Sequence, residues 1–193
     1  MKRICVFCGS SAGARPEYAD AARKLGEALA RQKLALVYGG GCVGLMGILA
    51  DSALAAGGAV IGVIPQALAT KELMHAGLTE LRVVATMHER KAAMAELSDA
   101  FVALPGGFGT LEEFCEVLTW AQLGFHRKPC GLLNVHGYFK PLLALFDHAV
   151  AEKFVTPAQR TLVIEAAQPE DMLATLAAFK PPHMKRWVER EEL

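Results

Sequence analysis

The sequence predicts an α/β fold: a doubly wound, mostly parallel sheet of six to seven strands with helices on both faces. Three observations carry this reading. Short, almost continuously apolar runs recur along the 193 residues, as strands buried on both faces require. Stretches with apolar residues at helical spacing separate those runs. Segments rich in glycine, serine or charge follow the first five runs, at the edge where such sheets bind ligands.

The elements follow in order. ICVF is the first strand, and residues 17–32 the first helix, with Tyr18, Ala21, Ala22, Leu25, Ala28 and Leu29 on one face. LALVY leads through GGGCVGLMG into a helix over 43–56. AVIGVI and LRVV are separated by a segment containing PQALATKE, and TMHERK opens a helix over 87–97. AFVAL, PGGFGTLEE and a helix over 111–123 form the next unit. CGLLNV precedes a helix over 141–152, and TLVIE adds an edge strand before a helix over 169–179. This alternation implies right-handed crossovers and one Rossmann-like domain over 1–180. Residues 181–193, with Pro181-Pro182 and many charges, form a peripheral tail.

Composition excludes several classes. Hydrophobic residues make up 53% and charged residues 21%, enough for a sizeable core and too apolar for a disordered chain. Twenty basic residues balance twenty acidic ones, which argues against a nucleic-acid binder relying on a cationic surplus. No stretch approaches the roughly 20 apolar residues of a membrane span. Only Ile4 to Cys8 precede Gly9 after the basic start, shorter than the ~7–15 apolar residues of a signal peptide, so a cytoplasmic protein is expected. Five cysteines, an odd number, fit a reducing compartment. Cys5 and Cys8 form a C-x-x-C, but positions i and i+3 of a strand face opposite ways, so both are expected to be buried and structural. No His/Cys cluster has zinc-ligand spacing, and no metal is expected.

Two glycine loops stand out. Gly39, Gly41 and Gly44 match G-x-G-x-x-G. A dinucleotide site needs a carboxylate at the end of the next strand. That strand ends at Ile64, followed by Pro65 and Gln66, which argues against NAD. Tight strand–helix packing accounts for at least one of these glycines, and a phosphate- or ribose-contacting turn stays open for Gly40 and Gly41. In the second loop, Gly106, Gly107 and Gly109 allow positive φ and leave backbone N–H groups uncovered before a helix entered at Thr110. Such donors make an anion nest. No G-K-[ST] follows, so a single phosphate fits better than a triphosphate with Mg²⁺. Thr110 and Glu113 also fit a T-x-x-E capping box, which alone would explain Glu113 but neither the three glycines nor Glu112.

Thr86 and Glu89 make a second such box, so Glu89 reads as structural. Arg90 and Lys91 lie early in the same helix, where cations oppose the helix dipole. A solvated face is the plain explanation, but a bound anion that offsets the repulsion is favoured, because the segment faces the same edge as the glycine loop and Arg suits bidentate phosphate recognition. His88 reads more readily as exposed or structural than as an acid or base. Ser10 and Ser11 suit a ligand contact or a turn cap equally.

MHERK followed by PGGFGTLEE resembles the Lonely Guy family of cytokinin-activating phosphoribohydrolases, whose pattern is R-K and then P-G-G-x-G-T-x-x-E. Pro105, Gly106, Gly107, Gly109, Thr110 and Glu113 complete it, with Arg90 and Lys91 before. The resemblance implies hydrolysis of the N-glycosidic bond of a nucleoside 5′-monophosphate (AMP or N6-modified forms) to free base and ribose 5-phosphate. It implies Arg90 and Glu113 as the catalytic pair. It implies substrate contacts at Glu72, Arg90, Lys91, Gly106, Gly107, Phe108, Gly109, Thr110, Leu111, Glu112 and Thr119. It also implies a homodimer with the site near the interface, and no cofactor. A non-catalytic nucleotide carrier of the same fold is the alternative. A lysine decarboxylase would need a Schiff-base lysine, which no segment marks.

Overall fold

The computed structural model describes residues 1–70 and 73–182. Seven strands form one sheet: β1 (Arg3–Phe7), β2 (Ala35–Tyr38), β3 (Val60–Pro65), β4 (Glu80–Val84), β5 (Ala100–Ala103), β6 (Cys130–Leu133) and β7 (Val163–Ala166). Their spatial order is β4-β3-β2-β1-β5-β6-β7, and every pairing is parallel. TLVIE supplies the expected edge strand as β7, and LRVV the opposite edge as β4.

The helices are α1 (Pro16–Arg31), α2 (Gly44–Ala55), α3 (Met87–Leu97), α4 (Phe108–Leu123), α5 (Lys140–Ala151), α6 (Pro157–Arg160) and α7 (Pro169–Ala178). Alternation along the strands divides the core into two layers. Ile4, Val6, Leu36, Val102 and Ile164 face α1, α2 and α7. Cys5, Phe7, Val37, Val63, Phe101 and Leu132 face α3, α4 and α5. Cys5 and Cys8 fall in different layers, both buried, as strand geometry requires. Burial raises the pKa of both thiols, so neither is a ready thiolate.

Three details depart from the sequence reading. The short helix α6 is extra, closed by a Thr156–Gln159 capping box. Helix α4 starts three residues early, because Gly107 is its N-cap. The Thr110–Glu113 capping box therefore does not exist: both residues lie inside the helix, buried. Of the expected tail, only Pro181 and Pro182 are described. No helix among the described residues is long and apolar enough to cross a membrane.

The strand order reverses direction between β1 and β5. Crevices beyond the carboxyl ends at such switch points are the binding sites of open α/β sheets.

Candidate active site

The chain leaving β1 meets the chain leaving β5 at that crevice. Gly9 N–H donates to Pro105 O at 3.1 Å, and Leu45 N–H, in the first turn of α2, donates to Gly9 O at 3.0 Å. Gly44 (φ 59°) lies so close to the Ser10–Ser11 backbone that a Cβ would come within 2.3 Å of it. This packing accounts for the last glycine of the first loop.

A cleft of about 270 Å³ opens on the α3–α4 side, lined by Cys8–Ser10, Gly39, Met46, Met87, Arg90, Met94, Gly107–Thr110, Glu112 and Glu113. One wall is the start of α4. Gly107 caps the helix without a side-chain hydrogen bond, so the first-turn N–H groups are left to solvent or ligand. None of Gly106, Gly107 and Gly109 has the positive φ that the sequence reading allowed for. Space explains them instead. A Cβ on Gly106 would sit 2.1 Å from Thr110 Oγ1, while Cβ atoms on Gly107 or Gly109 would meet nothing within 4 Å. The last two glycines keep clear a volume that no protein atom fills.

The other wall carries a buried ion pair. Thr86 caps α3 by accepting from Glu89 N–H at 3.1 Å, and Glu89 accepts from Ala85 N–H at 2.9 Å, so Glu89 is structural as expected. One residue on, Arg90 turns into the cleft. Its Nη1 meets Glu113 Oε1 at 2.8 Å, and its Nε donates to Val63 O at 3.1 Å. The two side chains are 12% and 10% exposed. Burial pushes the Glu113 carboxyl above its ordinary range, and the Arg90 charge works against that rise. Gly39 is the seat of the guanidinium, since a Cβ there would lie 2.0 Å from Arg90 Nη2.

Lys91 is not on a solvated face either. Its ammonium reaches Glu112 at 2.5 Å and Glu116 at 3.0 Å, and the hydrogen bond it donates to Glu112 raises its pKa. The structure thus brings together Arg90, Gly107–Thr110, Glu112 and Glu113, with Lys91 behind the carboxylates. Gly106 stands at the neighbouring rim. Leu111 packs toward the core under α4, and Thr119 lies on its exposed face, bonded to Cys115 O; neither lines the cleft. Phe108 lines it while 94% exposed. Glu72 lies outside the described residues. His88 is exposed and away from the cleft. Ser11 Oγ accepts from Gly13 N–H, a turn cap, whereas Ser10 lines the cleft. Val63 and Glu116 were missed in the sequence and Gly39 was read only as part of a dinucleotide-like motif, because their roles are to seat or pair a cation brought from elsewhere in the chain.

These features define a doubly wound α/β protein in which an uncapped, glycine-rich helix start faces a buried arginine–carboxylate pair. Residues 46–176 match the family described as "Possible lysine decarboxylase". The chain is 54% identical over 182 residues to the cytokinin riboside 5′-monophosphate phosphoribohydrolase of Rhodococcoides fascians, covering 94% of this chain and 90% of that protein. It is 51% identical over 185 residues to a cytokinin riboside 5′-monophosphate phosphoribohydrolase of Arabidopsis thaliana, covering 96% and 87%. Among solved structures, a molybdenum cofactor binding protein of Rippkaea orientalis superposes with a TM-score of 0.70 at 24% identity, covering 92% and 97%, a likeness of fold. The chain belongs to the family of these phosphoribohydrolases.

The decarboxylase in the family's description does not fit the site. Pyridoxal chemistry needs a lysine held neutral for a Schiff base. Among the described residues no lysine lines the cleft, and Lys91 is held charged by two carboxylates.

Proposed function

We propose that this protein is a nucleoside 5′-monophosphate phosphoribohydrolase that cleaves AMP, N6-modified adenosine monophosphates such as cytokinin riboside monophosphates, or both, to free base and ribose 5-phosphate. The observation that carries this is the Arg90–Glu113 pair, nine-tenths buried in the same cleft as the open glycine start of α4.

The 5′-phosphate sits on the N–H groups of Gly107–Thr110 at the positive end of α4. Glu113 follows Gly107 by six residues, a rise of roughly 9 Å at ~1.5 Å per residue, and its side chain leans back toward the helix start. The sugar spans that gap, with C1′ near the carboxylate. As the C1′–N bond breaks, positive charge grows on the sugar, as in other glycosidic cleavages. The Glu113 carboxylate stabilises that charge and takes a proton from the attacking water. The departing base takes the electron pair of the broken bond and a proton from solvent, and Glu113 gives the proton it took back to solvent. Arg90 keeps Glu113 ionised against the burial that favours its neutral form. Glu112, on the wall of the cleft, accepts from a ribose hydroxyl.

Incubation with AMP and with N6-isopentenyl AMP, followed by chromatography, tests this. Equimolar base and ribose 5-phosphate are expected. Binding of both nucleotides with neither cleaved would refute hydrolysis in favour of a carrier.

We also infer a homodimer formed over α3 and α4. Leu118 and Trp120 are only half buried on α4, and Met87 and Val83 are 42% and 53% exposed nearby in sequence on α3 and β4. A second copy covers this surface and brings exposed Thr119 toward the interface. Light scattering at micromolar concentration tests it, a monomer mass being the contrary result. Five free cysteines suit a reducing compartment, and we assign the enzyme to the cytoplasm.

A further inference from the structure

The catalytic cleft has a neighbour that the mechanism leaves unused. On the other side of the Gly9–Ser10 and Gly106–Gly107 segments lies a second hollow of about 320 Å³, walled by Tyr18, Leu45 and Tyr138. From it, Tyr138 Oη donates a hydrogen bond to Gly106 O at 2.5 Å. We propose that Tyr138 is a positioning residue for the phosphate site: by holding the Gly106 carbonyl, it turns the Gly107 N–H toward the bound phosphate. This rests on the phosphate placement proposed above.

The peptide between Gly106 and Gly107 is planar and trans, so its C=O and N–H point in opposite directions. With the carbonyl aimed at Tyr138, the N–H is aimed away from the second hollow, toward the catalytic side. That N–H has no acceptor among the described residues. A peptide between two glycines is the one most free to rotate, because neither residue has a Cβ to restrict it. Its preceding neighbour is held by the Gly9 N–H bond to Pro105 O. The Gly106 carbonyl has only the tyrosine hydroxyl among the described residues.

Tyr138 is itself held for this task. Its ring packs edge-on against Tyr18, 5.7 Å between centroids, and against Phe139, 5.0 Å. The turn that carries it contains His136 at φ 54° and Gly137 at φ 76°. A non-glycine residue in that region is strained and persists only where its surroundings hold it. Here the clamp is Asn134, 5% exposed, which accepts from Phe139 N–H at 2.6 Å and donates to Glu165 at 2.6 Å. Tyr138 is 37% exposed, and its hydroxyl bonds to the glycine loop.

Tyr138→Phe removes only the hydroxyl and keeps both ring contacts. Calorimetric titration with ribose 5-phosphate reads the phosphate site without depending on turnover. Its affinity is expected to fall about 5–10-fold, the usual scale for one hydrogen bond lost. KM for AMP should rise by the same factor while kcat stays within about twofold, because the contact acts alike on bound substrate and transition state. Tyr18→Phe, which leaves the Gly106 bond intact, should match wild type in both. Wild-type ribose 5-phosphate affinity in Tyr138→Phe overturns the proposal. So does a fall in kcat at unchanged KM. Should the wild-type protein release no base from AMP, hydrolysis fails while the ribose 5-phosphate titration still decides the role of Tyr138.

Discussion

Replacing Glu113 by glutamine separates a catalytic carboxylate from a structural one. The variant keeps the side chain's size and an oxygen facing Arg90 Nη1, now 2.8 Å from Oε1. Only the charge goes. If the pair were there for stability, breaking it in so buried a place would cost about 3–5 kcal/mol. At ~2–4 °C per kcal/mol for a domain of this size, the melting temperature would drop by roughly 6–20 °C. The direction of the Glu113 pKa argues the reverse. Burial raises it above the ordinary 4.5 despite Arg90, so ionising this carboxyl costs more in the folded protein than in the unfolded chain. The folded state holds the proton more tightly, and the associated stability is present below 4.5 and lost as pH rises through the raised value. Glutamine escapes that loss. At pH 7 and above, Glu113→Gln should therefore melt no lower than wild type, and its melting temperature should lack the decline with pH that Glu113 gives wild type. Turnover should nevertheless fall by about 10²–10⁴-fold, or ~2.7–5.4 kcal/mol of barrier. Thermal melts from pH 4 to 9, nucleotide affinity and base release from one preparation complete the test. Wild-type turnover in the folded variant would refute the catalytic role, and a large loss of melting temperature at pH 7 would refute the electrostatic reasoning.

Gly107→Ala fits the backbone (φ −89°) and meets no protein atom, so melting should be unchanged while KM for AMP rises at least about tenfold, since the methyl group enters the ligand's space. Gly39→Ala pushes a Cβ into Arg90 Nη2, so base release should collapse toward the Glu113→Gln level while circular dichroism stays native. Lys91→Met leaves Glu112 and Glu116 without their cation and removes a charge that lowers the Glu113 pKa, so the acid limb of kcat/KM should move to higher pH. An unmoved limb would separate Lys91 from the catalytic group.

The fold was legible because a buried parallel sheet writes itself as apolar runs, and each run met its strand within about two residues. Layer assignment followed from alternation alone, as Cys5 and Cys8 illustrate. The site was legible in part. Arg90, Glu112, Glu113, Gly107 and Gly109 line one cleft, but for reasons only partly foreseen. Spacing offered Thr110–Glu113 as a capping box, since T-x-x-E is a local signal. The helix starts at Phe108 instead, because Gly107 can cap it without a side chain and Thr110 packs over Gly106. Arg90 and Lys91 read as cations awaiting an anion. Their anions are carboxylates of α4, 23 and 21 residues away, a pairing no local pattern encodes. Gly39 read as dinucleotide-like because a glycine motif does not tell whether the space it frees goes to a cofactor or to an arginine.

That pairing bears on how the cleft would hold the phosphate proposed above. Arg90 and Lys91 face Glu112, Glu113 and Glu116. Two cations against three carboxylates leave these side chains with a surplus of negative charge, which alone would repel a phosphate dianion. The attraction must then come from the backbone. Helix α4 begins without a capping side chain, and its glycines let a ligand approach the N–H groups directly. Aligned peptides give such a terminus roughly half a positive charge, and each N–H bond to an anion is charge-assisted. The division is useful for hydrolysis. Donors that carry no formal charge would bind the proposed phosphate without drawing Arg90 off Glu113, so the carboxylate could remain ionised when positive charge develops on the sugar. A chain of zero net charge could in this way bind a dianion through a helix terminus.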